Sequence, residues 1–144
     1  MSKGLKLGPL EDAVGYRLRR AQLAVFEDFA RRFAALKLTP AQFSTLIAIR
    51  ENPDSRLSDI AASLGIRRPN FVAMLDELER RDLAERAPSG ADRRAKTLRL
   101  TGAGEALLTR GLAAQAQQEA AIRARIGSQT SDELLETLRH LAGL

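Results

Sequence analysis

The chain has 144 residues, 44% of them hydrophobic and only 4% aromatic, with 23 Lys and Arg against 18 Asp and Glu and a net charge of +5. It has no Cys and one His, which excludes disulfides, thiolate catalysis and Cys- or His-rich metal sites. The hydrophobic content suffices for a core, and the basic balance suits nucleic acid or an anionic surface without choosing between them.

Residues 1–10 contain Gly4, Gly8 and Pro9 and read as a loose arm. No apolar segment follows Lys3 and Lys6, so this is not expected to be a signal peptide, and no run approaches transmembrane length. A cytoplasmic protein without a membrane partner is the expectation. A long helix is predicted from about Leu10 to Leu36, because Val14, Leu18, Ala21, Val25, Phe29, Phe33 and Leu36 recur at helical spacing along one stripe. Thr39-Pro40-Ala41-Gln42 is a helix start, with Thr39 capping, Pro40 in the first position and Gln42 closing a capping box. Phe43, Leu46, Ile47 and Ile49 follow, and Asn52-Pro53 stops the helix.

Next come two short helices. Ser58 is the expected cap of the first, Ile60, Ala61 and Leu64 its buried side, and Gly65 its end. Pro69 starts the second, with Phe71, Met74, Leu75 and Leu78 inward and Asn70, Ala73 and Glu77 outward. Leu83–Arg86 and Thr97–Leu100 alternate like the strands of a hairpin around the turn-forming Pro88-Ser89-Gly90-Ala91-Asp92. Thr101-Gly102 opens a long helix to about Ile126, with a stripe of Leu107, Leu108, Leu112, Ala116, Ala120 and Ile126. After a break at Gly127-Ser128, Thr130-Ser131-Asp132-Glu133 reads as a second capping box before Leu134, Leu135, Leu138 and Leu141.

This order is a mainly α fold with a small β-wing: a winged helix-turn-helix plus a helical dimerisation domain. A helix fits the major groove and reads bases from its N-terminal residues. Arg67, Arg68 and Pro69 stand at the entrance of the second short helix. Asn70 suits adenine, and the small Ala73 permits close approach to a thymine methyl. Ser58 belongs to the bracing helix that crosses the backbone. Arg93 and Arg94 at a hairpin tip suit phosphate and a narrow minor groove, with Asp92 orienting an Arg. Arg80 and Arg81 suit their helix's C-terminal dipole without touching DNA, and His140 does the same for the last helix.

These residues carry a resemblance. The run L-S-D-I-A-A-S-L-G-I-R-R-P-N-F-V-A-M-L-D-E-L-E-R-R-D-L from Leu57, then Arg86, D-R-R at Asp92–Arg94 and L-T-G-A-G at Leu100–Gly104 resemble the MarR family of transcriptional regulators. The family's wing signature falls on Asp92 and Arg94, and its recognition-helix leucine and glutamate on Leu78 and Glu79. Asp82 departs from the usual Gly at the turn after that helix. The resemblance implies a homodimer whose arms are residues 1–36 and 102–144, flanking a DNA-binding lobe at 37–101. The partners would be a pseudo-palindromic duplex and a second copy, with no metal. Apolar stripes on the terminal helices independently call for a partner.

The resemblance also implies a small effector between the dimer helices and the lobe. Tyr16, Arg19, Arg20, Leu23 and Phe26 on the first helix, with Phe43, Ile47 and Arg50 on the second, offer aromatic walls beside cations. The segment P-L-E-D-A-V-G-Y-R-L-R-R-A-Q is similar to that of repressors of hydroxycinnamate breakdown, which sense aromatic acyl-CoA thioesters. No cofactor is expected beyond such an aromatic acid or thioester effector. An enzyme is disfavoured by the lack of a phosphate loop or nucleophile pair. A winged helix used only for protein contact predicts an acidic or apolar outer face, and this one is basic and polar.

Overall fold

The structure is a computed structural model and describes residues 4–88 and 96–144. A short 3-10 helix, Gly8–Asp12, precedes α1 (Val14–Arg32), and a 3-10 turn, Ala34–Leu36, leads into α2 (Pro40–Glu51). Then come α3 (Leu57–Ser63), α4 (Arg68–Arg80), β1 (Ala84–Pro88), β2 (Lys96–Leu100), α5 (Gly102–Ile126) and α6 (Ser128–Ala142). The strands form an antiparallel hairpin that pairs Ala84 with Leu100 and Pro88 with Lys96.

The helix expected over Leu10–Leu36 is three pieces. Ala13 is extended between the first 3-10 helix and α1. At the other end Phe33 leaves the helix, and Lys37 takes a left-handed φ of 50° after the 3-10 turn. That tightening seats Phe33, Leu36 and Leu38 together in the core.

Local chemistry explains most boundaries. The Thr39 hydroxyl accepts from the Gln42 N–H at 3.1 Å, while the Gln42 side chain accepts from the Thr39 N–H at 3.0 Å. Gly65 has φ +64°, the conformation that favours glycine at a helix end. Thr101 caps α5 by accepting from the Gly104 N–H at 3.0 Å.

Two expected caps are corrected. Ser58 is not a cap: the extended Arg56 bridges Thr97, α3 starts at once behind it, and the Ser58 hydroxyl turns to Asp59. The second capping box does not form either. Gly127, at φ 84°, reverses the chain so sharply that α6 begins at Ser128. Thr130 then lies inside the helix, and the Ser131 hydroxyl donates back to the Gly127 carbonyl at 2.8 Å.

One core runs through the chain from Phe29 to Leu108. Phe29 stacks on Phe33 with ring centres 3.7 Å apart, and Phe33 meets the edge of Phe43 at 4.9 Å. Full burial of a side chain of this kind stabilises by about 1.5–3 kcal/mol. The first half of α5 therefore shares the lobe's core. Its buried line passes through Gly104, Leu108, Gly111 and Gln118, while the expected Ala116 and Ala120 are exposed. Gly111 explains the shift, because a Cβ there would meet the Phe43 ring at 2.7 Å. Hydropathy does not mark a glycine or a glutamine as inward-facing.

Candidate functional site

The outward side of α4 is built by elimination. Phe71, Leu75 and Leu78 are fully buried, which fixes the helix's rotation. Arg67, Arg68, Pro69, Asn70 and Ala73 are left exposed at its N-terminal end. Neither Arg67 nor Arg68 forms an ion pair among the described residues. Ser58 is exposed on α3. Asp92, Arg93 and Arg94 lie outside the described residues.

The hairpin is braced against this helix by charge. The Arg86 guanidinium donates to the Asp76 carboxylate and lies 3.4 Å from Glu79, whose other oxygen accepts the Arg86 N–H at 3.0 Å. Leu78 and Glu79 thus have separate work, one filling the core and the other tying β1 to α4. On β2, Arg99 donates to Asp54 at 2.6 Å, and this carboxylate raises the Arg99 pKa. The Leu98 N–H reaches the Ser55 carbonyl at 3.3 Å. The root of the wing is thereby tied to both α4 and the segment before α3.

A second feature lies among the terminal helices. The groove between α1, α5 and α6 holds a cavity of about 600 Å³ lined by Leu18, Val25, Ile122, Leu134, Leu135 and Leu138, with Arg19, Arg123 and Glu119 at its margin. Leu18, Val25, Leu134, Leu135 and Leu141 keep 39–59% of their surface exposed. Deeper in, the Gln118 amide joins α5 to α1, donating to the Val25 carbonyl at 3.0 Å and to Asp28 at 3.3 Å. Asp28 also accepts from Arg32 at 2.7 Å and Arg31 at 2.9 Å, and these cations hold its carboxyl below the usual carboxylate range.

The residues expected around an effector do not all meet. Arg19, Leu23 and Phe26 follow one another at helical spacing, as do Tyr16, Arg20 and Leu23, so one side of α1 carries all five. Leu23 and Phe26 are nearly half exposed. Ile47 and Arg50 are half-buried on α2, where Arg50 pairs with Glu51 at 2.8 Å. Phe43 is buried beside Phe29, Phe33 and Gly111, filling the space opposite that glycine. Arg81, Gln118 and Asp28 went unnoticed as linking residues, since nothing in their spacing distinguishes them from surface polar residues.

No helix among the described residues is long and apolar enough to cross a membrane. The family model described as MarR family matches residues 36–95. A protein described as the transcriptional regulator for the hcr operon of Thauera aromatica is 30% identical over 135 residues, covering 93% of this chain and 81% of that protein. The transcriptional repressor CouR, solved bound to a 23-mer DNA duplex, is similar at 46% identity and a TM-score of 0.92, over 96% of this chain and 99% of that one. CouR bound to p-coumaroyl-CoA is similar at 45% identity and a TM-score of 0.91, over 96% and 98%. With the winged lobe in place and these relatives matching almost end to end, the chain belongs to the MarR family of transcriptional regulators.

Proposed function

We propose that the protein is a homodimeric transcriptional repressor that binds a pseudo-palindromic operator and is released from it by an aromatic acyl-CoA thioester, p-coumaroyl-CoA in the first instance. The observation that carries this reading is the exposed basic entrance of α4, free of ion pairs among the described residues, with Arg67, Arg68, Asn70 and Ala73 on one accessible end of a helix sized for the major groove. Its likeness to CouR, a repressor seen with DNA and with p-coumaroyl-CoA, supports both halves of the reading.

Residues 1–36 and 102–144 serve as the dimerisation arms and residues 37–101 as the DNA-binding lobe, with the first half of α5 anchored in the lobe. The exposed apolar groove of α1, α5 and α6 is the surface for the second copy. The basic side chains of α1, Arg19 and Arg20, take the thioester's phosphates, while Tyr16, Leu23 and Phe26 line its aromatic end. Arg94 enters the minor groove, Asp92 orients it, and Arg93 contacts phosphate. The protein acts in the cytoplasm as a regulator without catalytic activity.

Selection from a random pool of DNA duplexes tests the DNA half. The expected product is a sequence with two-fold related half-sites whose centres lie about 34 Å apart. A pool that never enriches rejects the reading.

A further inference from the structure

Arg81, just past the end of the recognition helix, turns away from the DNA-facing side and reaches the far end of α1. Its guanidinium donates from Nη1 to the Lys37 carbonyl at 2.6 Å and from Nη2 to the Leu36 carbonyl at 3.0 Å. These carbonyls end the 3-10 turn that continues α1, and neither accepts a backbone N–H among the described residues. The last carbonyls of a helix lack partners within it and carry partial negative charge. A guanidinium matches two neighbouring carbonyls with a rigid fork, which the single ammonium of Lys does not. The clamp also rests on a strained residue, since Lys37 holds φ 50°, a region that side-chain-bearing residues seldom enter.

The connectivity gives the contact its significance. Among the described residues no other hydrogen bond and no ion pair joins residues 4–38 to residues 57–100. Among the described residues, the other side-chain ties of α4 go to the wing, through Asp76, Glu79 and Arg86, and to α2, where the Thr45 hydroxyl donates to the Met74 sulfur at 3.9 Å. The C-terminal end of the recognition helix is thus held both by the wing and by the end of α1.

We infer that Arg81 is a positioning residue: it locks the recognition helix to the end of α1 and carries a displacement of α1 to the DNA-reading surface. The inference rests on the reading that the effector binds beside α1 and that α4 reads DNA. A ligand alters DNA affinity only through contacts that differ between the two states, and the paired bonds at Leu36 and Lys37 are a contact of this kind.

The test compares the full-length wild type with Arg81→Ala and Arg81→Lys. Operator-duplex anisotropy is measured with and without p-coumaroyl-CoA, the thioester is titrated into the DNA-free protein, and thermal unfolding is followed. The wild-type operator affinity is expected to fall by a factor of about 5–150 when the thioester is added, the usual range of coupling between sites. In Arg81→Ala that factor falls to about a third of the wild-type value or less, while the DNA-free protein binds the thioester within about twofold of wild type. Arg81→Lys falls between them, because it restores charge but not the fork.

A wild-type coupling factor in both folded variants overturns the inference. If only Arg81→Ala fails to fold, Arg81→Lys decides. If both fail, Arg81 is a stability residue and the inference falls. A wild-type protein that binds its operator yet ignores the thioester overturns the effector reading, and this inference with it. A wild type that responds, with variants that respond equally, overturns this inference alone.

Discussion

Gly104 lies directly against the carbonyl of Leu83: a Cβ placed on Gly104 would fall on the Leu83 oxygen. The same carbonyl accepts the Thr101 N–H at 3.2 Å, so the first turn of α5 is pressed against the chain that leads from the recognition helix into the wing. Backbone on backbone cannot yield as the tip of a side chain does. Gly104→Ala is expected to cost about 1–3 kcal/mol through overpacking, read as a lowered urea midpoint. Gly102→Ala is the control. It has open space around it, and a neutral or slightly stabilising effect of up to about 1 kcal/mol is expected there.

The turn after α4 makes a second prediction. Asp82 stands where the family usually has Gly, and it keeps the left-handed conformation with φ 55°. Its carbonyl accepts the Thr101 hydroxyl, which joins the turn to the cap of α5. Asp tolerates this region better than most residues but less well than Gly. The expected order of thermal stability is therefore Asp82→Gly, then wild type, then Asp82→Ala. The last should lose about 1 kcal/mol, and an alanine variant as stable as wild type would show that the turn carries no strain.

Asp28 links stability to acid. Arg32 and Arg31 depress its folded-state pKa, so the folded protein holds its proton less tightly than the unfolded chain does. The stabilisation is present above about pH 4, the ordinary range of an Asp carboxyl, and is lost as pH falls through the lower folded value. Urea midpoints at pH 7 and pH 3 measure it. Asp28→Asn is expected to narrow the difference between the two, and an unchanged difference would show that the ion pairs contribute nothing.

The exposed end of α4 separates two kinds of contact. Arg67→Ala and Arg68→Ala are expected to weaken binding to all duplexes, each reducing the salt dependence by about one unit of slope if it neutralises a phosphate. Asn70→Ala should instead cost about 1–3 kcal/mol on the selected operator, little on other DNA, and leave the slope alone. Equal losses on both kinds of DNA would remove Asn70 as a base reader.

Much of the fold was legible because its signals are local. The Thr39–Gln42 box, the helix end at Gly65 and the helix start at Thr101-Gly102 each need only a few adjacent residues, and each forms as read. The failures share a different cause. Ser58 and Thr130 have cap chemistry, but a strand bridge at Arg56 and the reversal at Gly127 start their helices earlier. Those events depend on the rest of the chain. The inner line of α5 was misread because Gly111 and Gln118 face inward for reasons of shape and hydrogen bonding. Exposed Arg67, Arg68, Asn70 and Ala73 stand on the expected side of α4. The burial of Phe43 was not legible, because an aromatic beside a ligand and one in the core have the same spacing. Arg81 was invisible as a link, since its partners lie more than forty residues away.

The central claim is that one small molecule near α1 controls DNA binding by α4. Its most direct test is anisotropy of a fluorescent duplex, carrying the selected operator, bound to the wild-type protein at fixed salt and titrated with p-coumaroyl-CoA and, separately, with free CoA. The account predicts release of the duplex by the thioester and no comparable release by CoA alone. A bound duplex unaffected by saturating thioester, or released equally by CoA, would contradict it.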